Sequence, residues 1–439
     1  MVNKNNSIPP FPNRSNAARR ASLAAACLLS LSLSLSLSLS LLAGCSDNPT
    51  PAPQNTVTPP PGCTSAVAPS GGDDLEAVQT ALIEAKEGSV VCLLEGSYSF
   101  SGELSIATPG LTLKGAGQGK TILDFKGQMA GANGIQITSD NVTVTEFDVK
   151  NPPGDGIRAS SVKNIAFLNV SVLWDAAASK ENGAYGLYPV SSDGVRIEGC
   201  KVSGARDAGL YVGQSTHILV ADSEAWGNVA GIELENSTDA EVRGCHAHDN
   251  TGGILVFNLP NLPMQGGSRA KVHHNMIERN NLDNFAAQGT IVARVPSGTG
   301  IMLLAADQNE IHENTIRDNK SLGVLIFSYS DLLFEPQSDP AFDVYPQGNW
   351  FHDNTFENNG TMPSQDVAVL IPLNPVPDVI WDGCGDPGAD NTSGALTNCL
   401  SSNGSATYQN MDLCDQNGGS SGDITKVTCE HMALPPQDP

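Results

Sequence analysis

Positive charge is what this sequence has least of: 23 Lys and Arg stand against 47 Asp and Glu, a net charge of −24. Nucleic acid and anionic membrane surfaces both need basic patches that release counterions, so neither is an expected partner. The balance suits calcium or a cationic partner instead. A phosphate loop is also missing. The run Gly115-Ala-Gly-Gln-Gly-Lys-Thr121 resembles one, but the first glycine of that pattern would fall at 114, which is Lys114. A strand-like Thr121-Ile-Leu-Asp-Phe125 follows in place of the helix whose N-terminus would hold phosphate. Covalent haem is excluded as well: it needs two cysteines three apart followed by His, and Cys429 with His431 fails that spacing.

What is there begins with Arg14, Arg19 and Arg20 ahead of an apolar stretch from Ala21 to Leu42, the layout of a secretory signal. It ends Leu42-Ala-Gly-Cys45, which resembles the bacterial lipobox, and that resemblance implies cleavage before Cys45 and a lipid on its thiol. A plain transmembrane anchor is the alternative, weakened by the Leu-Ser alternation between Leu31 and Ser40. Similarity to lipoprotein sorting signals implies, from Ser46, the outer membrane, with the folded part periplasmic or surface-facing. Residues 1–44 are thus read as signal and 45–72 as a tether, rich in Pro, Thr and Ser and unable to bury much.

From there a repeat governs the chain. Gly134-Ile135, Gly156-Ile157, Gly209-Leu210, Gly231-Ile232 and Gly253-Ile254 recur at about 22-residue spacing or one inserted multiple of it, with later copies at Gly300-Ile301 and Gly323-Val324. A unit that short cannot bury its own apolar side, and its alternation has period two, so it stacks as a β-solenoid. Registering the units predicts an inward file of Phe147, Val170, Cys200, Ser223, Cys245, Asn275, Asn314 and Asn354, whose last members form an asparagine ladder. A second file, Asn228, Asn250, Asn280, Asn319 and Asn359, marks the next corner. Stacked amides bond along the axis at roughly the 4.8 Å strand spacing.

Of ten cysteines, Cys27 falls in the signal and Cys45 is the lipid site. Cys200 and Cys245 sit two rungs apart, beyond disulfide reach, and are expected as free buried thiols. Asp73-Asp74 is expected to cap a helix to about Lys86 that plugs the open solenoid end, stapled by Cys63 and Cys92. The solenoid is expected over 73–371. Residues 372–439 read as a tail in which Cys384, Cys399, Cys414 and Cys429 pair; spacing leaves three connectivities open, with sequence neighbours favoured.

From Gly134 to about Ile371, on these Gly-hydrophobic repeats, the chain resembles the pectin-lyase-like superfamily of right-handed parallel β-helices. More narrowly it is similar to an exported β-helix lipoprotein family of unsettled function. In that narrower family a neighbouring gene often encodes an exported c-type cytochrome, which implies a redox partner by association. The superfamily includes pectate lyases, polygalacturonases and alginate epimerases, but their catalytic phrases do not occur here, so no catalytic residue carries over.

The residues themselves offer a candidate groove. Alternation puts Arg158, Tyr188, Tyr211, Glu233 and Glu235 outward on successive coils, with Lys180, Glu181, Arg206, Asp207 and Trp226 on adjoining loops. Cations to neutralise a uronate, Tyr or carboxyl groups as acid and base, and rings to stack on sugars are what a polyuronate enzyme needs. Glu233, Glu235 and Asp207 could equally form a hydrolase pair or calcium ligands. The bland alternative is a solvated sheet face. Later coils present Leu255, Phe257, Met302, Leu325 and Phe327, an apolar patch that the insertions at 259–268, 282–297 and 329–346 are expected to cover. His273, His312 and His352 share one outward position and are metal candidates, although stacked side chains converge poorly on one ion. The leading expectation is a lyase or epimerase acting on an acidic polysaccharide. The rival is a non-catalytic accessory protein docking a partner such as the cytochrome through the apolar patch.

Overall fold

In the computed structural model, which describes residues 57–330, 334 and 337–439, every strand pairing within the two large sheets is parallel and joins a residue to its equivalent one coil later. The chain is a right-handed parallel β-helix. One side is an eleven-stranded sheet; the other strands form a twenty-stranded sheet that bends round a corner, most coils giving it two strands, as Asp193–Glu198 and Lys201–Ser203 do. The secretory signal, Cys45 and the tether up to residue 56 lie outside the described residues.

The corner between those paired strands has a simple backbone cause. Glu146, Asn169, Gly199, Asp222, Gly244, His274, Glu313, Asp353 and Ser402 all adopt φ between 48° and 65°. One left-handed residue turns the strand and aims the next residue inward. Those next residues are the predicted file. The Asn275 side chain donates to Asn314 Oδ1 at 3.0 Å, Asn314 to Asn354 at 3.0 Å, and Asn354 to Asn403 at 3.1 Å. Each amide also gives a hydrogen to a carbonyl of the previous coil, Asn314 to Val272 O at 2.9 Å. Otherwise orphaned corner backbone is thereby paired. The second ladder runs from Asn228 to Asn359 as expected. A third, Asn309–Asn349–Asn398, was not foreseen.

Cys200 and Cys245 are free and buried, with Ser223 between them in the file. Burial pushes both thiols up to about 12. The core is a stack of aliphatic files such as Leu210–Ile232–Ile254–Ile301–Val324–Val379.

At the N-terminal end, helix Leu75–Glu84 buries Val78 and Leu82 against the first coils. Gln79 reaches the exposed sheet edge, accepting from Ser105 N at 2.8 Å and donating to its carbonyl at 3.0 Å. The edge that could template further pairing is thus answered by a side chain. Asp74 does not cap the helix with its carboxylate, which is held by the amides of Ser70 and Ser99; Leu75 N bonds Asp73 instead. Cys63–Cys92 forms as expected.

The C-terminal reading needs two corrections. The sheets run on past Ile371, since Val379–Trp381, Cys399–Ser401 and Tyr408–Asn410 continue the ladders in register. The disulfides are Cys384–Cys414 and Cys399–Cys429, not sequence neighbours. The register places Cys399 on a strand and so apart from Cys384, which follows a different strand. Beyond them the last residues lie across the twenty-stranded sheet: Leu434 N donates to Glu310 at 2.7 Å, Gln437 N to Glu241 at 2.5 Å, and Asp438 pairs with Arg196 at 3.0 Å.

Candidate functional site

Strand pairing of the eleven-stranded sheet produces one outward file, Gln136–Arg158–Tyr188–Tyr211–Glu233–Leu255–Met302–Leu325–Ile380. A second, two residues along each strand, is Gly213–Glu235–Phe257–Leu304–Phe327. The polar half of both files belongs to the early coils and the apolar half to the late ones, as alternation predicts.

The apolar half is covered. Leu255, Phe257, Met302, Leu325 and Phe327 are each at most 2% exposed. They form a core outside the solenoid with Val292, Val295 and Phe334 from the insertions and with Val367, Ile371 and Val376 from the later segment around helix Gln365–Leu370. Asn284 ties the first of these down, donating to Val292 O and Val295 O at 2.8 and 2.9 Å. The sheet makes room: a Cβ on Gly252 would stand 3.0 Å from Val295 Cγ1.

The cover also reaches the polar half, which corrects the expectation that its residues face water. Tyr211 and Glu233 are each only 2% exposed and Asp207 is 8% exposed, whereas Arg158, Tyr188, Arg206 and Glu235 are half-buried. Tyr185, which sequence reading missed, joins them. Its ring stacks on Tyr188 at 4.4 Å between centroids and lies 4.6 Å from that of Tyr211, while Tyr188 and Tyr211 meet edge-on at 4.9 Å. The signal was the unread pair Gly186-Leu187: Gly186 faces the core, where an added Cβ would stand 2.3 Å from Val202 Cγ1, so Tyr185, one residue before it, faces outward. Arg158 sits over the Tyr188 ring at 4.8 Å, bonds Ser160 Oγ at 3.1 Å and faces Asp155 at 3.8 Å.

Four carboxyls surround these rings, and all are held above the usual carboxylate range. Burial lifts Asp207 to about 7, reinforced by the Glu235 charge and opposed by the Tyr185 hydroxyl and Arg206. Burial likewise lifts Asp155 to about 6 against the pull of Arg158. Glu233 is raised well above the usual carboxylate range by burial and by the charges of Asp207 and Glu235, and its Oε2 has no hydrogen-bond partner. Glu235 is raised by burial and restrained by a 2.7 Å hydrogen bond from the Tyr211 hydroxyl. Burial and these carboxylates push Tyr185, Tyr188 and Tyr211 upward too. The tyrosines are therefore proton donors near neutral pH. Base chemistry falls to a carboxylate.

Not all sequence candidates gather here. Trp226 lies on the twenty-stranded sheet, where its ring is parallel to that of His248. Lys180 and Glu181 form an exposed ion pair at 4.0 Å. His273, His312 and His352 stack as parallel rings 4.8 Å apart, so their nitrogens run side by side and do not meet. Neighbouring carboxylates engage them: Glu241 lies 2.9 Å from His273, Glu313 lies 2.9 Å from His312 and Glu310 lies 3.1 Å from His352. Burial holds His273 and His312 below the usual histidine value, which favours the neutral form of those two rings. Among the described residues, three metal-capable donors come together elsewhere, at Glu224, His246 and His248. Two cavities, of about 300 and 220 Å³, lie among the tail loops and beside the terminal segment, away from the carboxyl cluster.

Residues 133–266 match the family model described as right handed beta helix region. No curated protein sequence matches the chain. Among solved structures, the A-module of the mannuronan C-5 epimerase AlgE4 from Azotobacter vinelandii superposes with a TM-score of 0.50 at 16% identity, covering 76% of this chain and 91% of that one. The family 28 exopolygalacturonase of Yersinia enterocolitica aligns over 75% of this chain and 67% of its own, at 12% identity and a TM-score of 0.48. At such identities the likeness concerns the fold.

Proposed function

We propose that the chain processes an acidic polysaccharide at the polar end of the eleven-stranded sheet, by lyase or epimerase chemistry. The observation that carries this reading is the Tyr211–Glu235 hydrogen bond inside a cluster of raised carboxyls, opening onto half-buried Tyr185, Tyr188, Arg158 and Arg206. Enzymes of this fold act on such polymers, as the names of the epimerase and the exopolygalacturonase state. That supports the substrate class by analogy only.

Lyase and epimerase chemistry share a first step, removal of the C5 proton beside the uronate carboxyl. Its difficulty is the negative charge that builds on that carboxyl, which Arg158 and Arg206 neutralise and a protonated Asp207 relieves by donating a hydrogen. Glu235 is the base, its raised pKa matching it to a weakly acidic proton. Tyr185 and Tyr188 carry the sugar face. Tyr211, almost wholly covered, acts through Glu235 and is a positioning residue; Glu233, behind both, keeps the cluster's affinity for protons high. Departure of the 4-O substituent gives an unsaturated product, and return of a proton to the opposite face gives the epimer.

Export and lipid attachment at Cys45 are part of the proposal and place the substrate in the envelope. Radiolabelled palmitate incorporation that Cys45→Ser abolishes is the expected result. The rival accessory role loses its docking patch, because Leu255, Phe257, Met302, Leu325 and Phe327 are covered by the chain's own insertions. A screen on alginate, pectate and glycosaminoglycans, with and without calcium, reads lyase activity as ultraviolet absorbance of the unsaturated product. Inert glycans together with a co-purifying cytochrome would replace the enzyme reading with the rival.

A further inference from the structure

Across the solenoid from the carboxyl cluster, three successive coils set Glu224–Trp226, His246–His248 and Met276–Glu278 side by side, with Glu224 opposite His246 and Trp226 opposite His248. The middle residues Ala225, Ala247 and Ile277 point into the core and are fully buried. Period-two alternation therefore sends both imidazoles of His246-Ala-His248 outward from a single three-residue strand. Their ring centroids are 4.0 Å apart, and His248 Nε2 lies 3.2 Å from Glu224 Oε1. One donor from each of the three side chains falls within 4.8 Å of the others.

Two donors bound to one zinc-class ion at ~2.1 Å and a tetrahedral angle stand roughly 3.4 Å apart. The His248–Glu224 spacing is already that of co-ligands, and His246 joins by a side-chain adjustment. We propose that Glu224, His246 and His248 form a binding site for a zinc-class divalent cation, with water completing the coordination.

The surroundings argue for a prepared site. His248 Nδ1 lies 2.7 Å from Asp249 Oδ2, so a cation entering between Nε2 and Glu224 displaces only the Nε2 proton, and the Nδ1 proton stays with Asp249. Trp226 lies parallel to the His248 ring, 6.1 Å between centroids. Glu278, gripped by Arg279 and Arg317, contacts His246 Nε2 at 3.2 Å and steadies that ring. The competitor for Glu224 is Lys201, 3.5 Å away and exposed, an ion pair weak enough to yield to a divalent cation. The difference from the His273–His312–His352 stack is topological: there each coil supplies one ring, and parallel rings cannot converge. Here one strand supplies two and its neighbour the third ligand. A bound ion would clasp two adjacent coils.

The test uses the full chain, stripped of metal by a chelator and titrated with zinc at pH 7.5 against a chromophoric competitor, with cobalt as a spectroscopic substitute. One ion per chain is expected, with a tetrahedral cobalt band. Affinity should fall at least tenfold in His248→Ala and in Glu224→Gln, fall about 10- to 100-fold in Asp249→Asn, and stay unchanged in His312→Ala. Zinc should raise the melting temperature of the wild type and not that of His248→Ala. Far-UV circular dichroism confirms that each variant is folded. Zinc binding that is absent from the wild type, or equal in the wild type, His248→Ala and Glu224→Gln, overturns the proposal.

Discussion

The Tyr211 hydroxyl reaches past its own strand partner to donate a 2.7 Å hydrogen bond to Glu235 on the next coil. It can do so because the ring lies over Gly213, where an added Cβ would stand 2.3 Å from that hydroxyl. Tyr211→Phe deletes the bond that holds Glu235 down. The base then ionises at higher pH, so the acid limb of the pH–rate profile on a polyuronate moves upward. Gly213→Ala evicts the ring and should shift the limb the same way. A rate loss with an unmoved limb would mean that Tyr211 does not act through Glu235.

Buried carboxyls make stability depend on pH. Asp207 at about 7 and Asp155 at about 6 bind protons more tightly folded than unfolded, where aspartate titrates near 4. The stability they contribute is full below about pH 4 and is lost as pH rises through about 6 to 7. Melting temperature should therefore fall between pH 5 and 8, and Asp207→Asn should flatten that slope. A melting temperature that climbs over the same range would contradict the assignment.

Asn314 is the middle of a ladder, accepting from the backbone and side-chain amides of Asn275 and donating to Val272 O and Asn354 Oδ1. Asn314→Ala strands buried donors and acceptors on two coils, each worth about 1–3 kcal/mol. Chemical denaturation should show a loss of several kcal/mol, against less than about 0.5 kcal/mol for Glu357→Ala, an exposed strand residue outside the ladders.

Cys200 and Cys245 should resist a thiol reagent in native protein and react once guanidinium unfolds it, as peptide mapping would read. Ready labelling of either in the native state would remove them from the inward file.

Much of this was legible because one-coil spacing writes the same position many times over. The inward file from Phe147 to Asn354 and the outward residues Arg158, Tyr211 and Glu233 follow from registering the repeat units. What has no copy could not be read that way. The insertions that pack into the outer cluster with Tyr211 are irregular, so alternation gave the direction of Tyr211 and Glu233 but not their exposure. Tyr185 was missed with its Gly186-Leu187 pair. The last coils were missed because Val379–Trp381 and Cys399–Ser401 are three-residue strands separated by long loops. Disulfide pairing follows from that register and not from cysteine spacing. His246 and His248, by contrast, were present as a His-Ala-His strand and needed only Glu224 one coil earlier.

Proton abstraction at C5 of a uronate by Glu235 is the step on which the functional account rests, and it is visible whichever product follows. Alginate and pectate incubated with the protein in deuterium oxide should gain deuterium at C5 or yield unsaturated ends. Glu235→Gln should lower that signal about 10²- to 10⁴-fold. Wild-type protein that leaves C5 fully protonated and intact on every polyuronate, or Glu235→Gln protein as active as wild type, would contradict it.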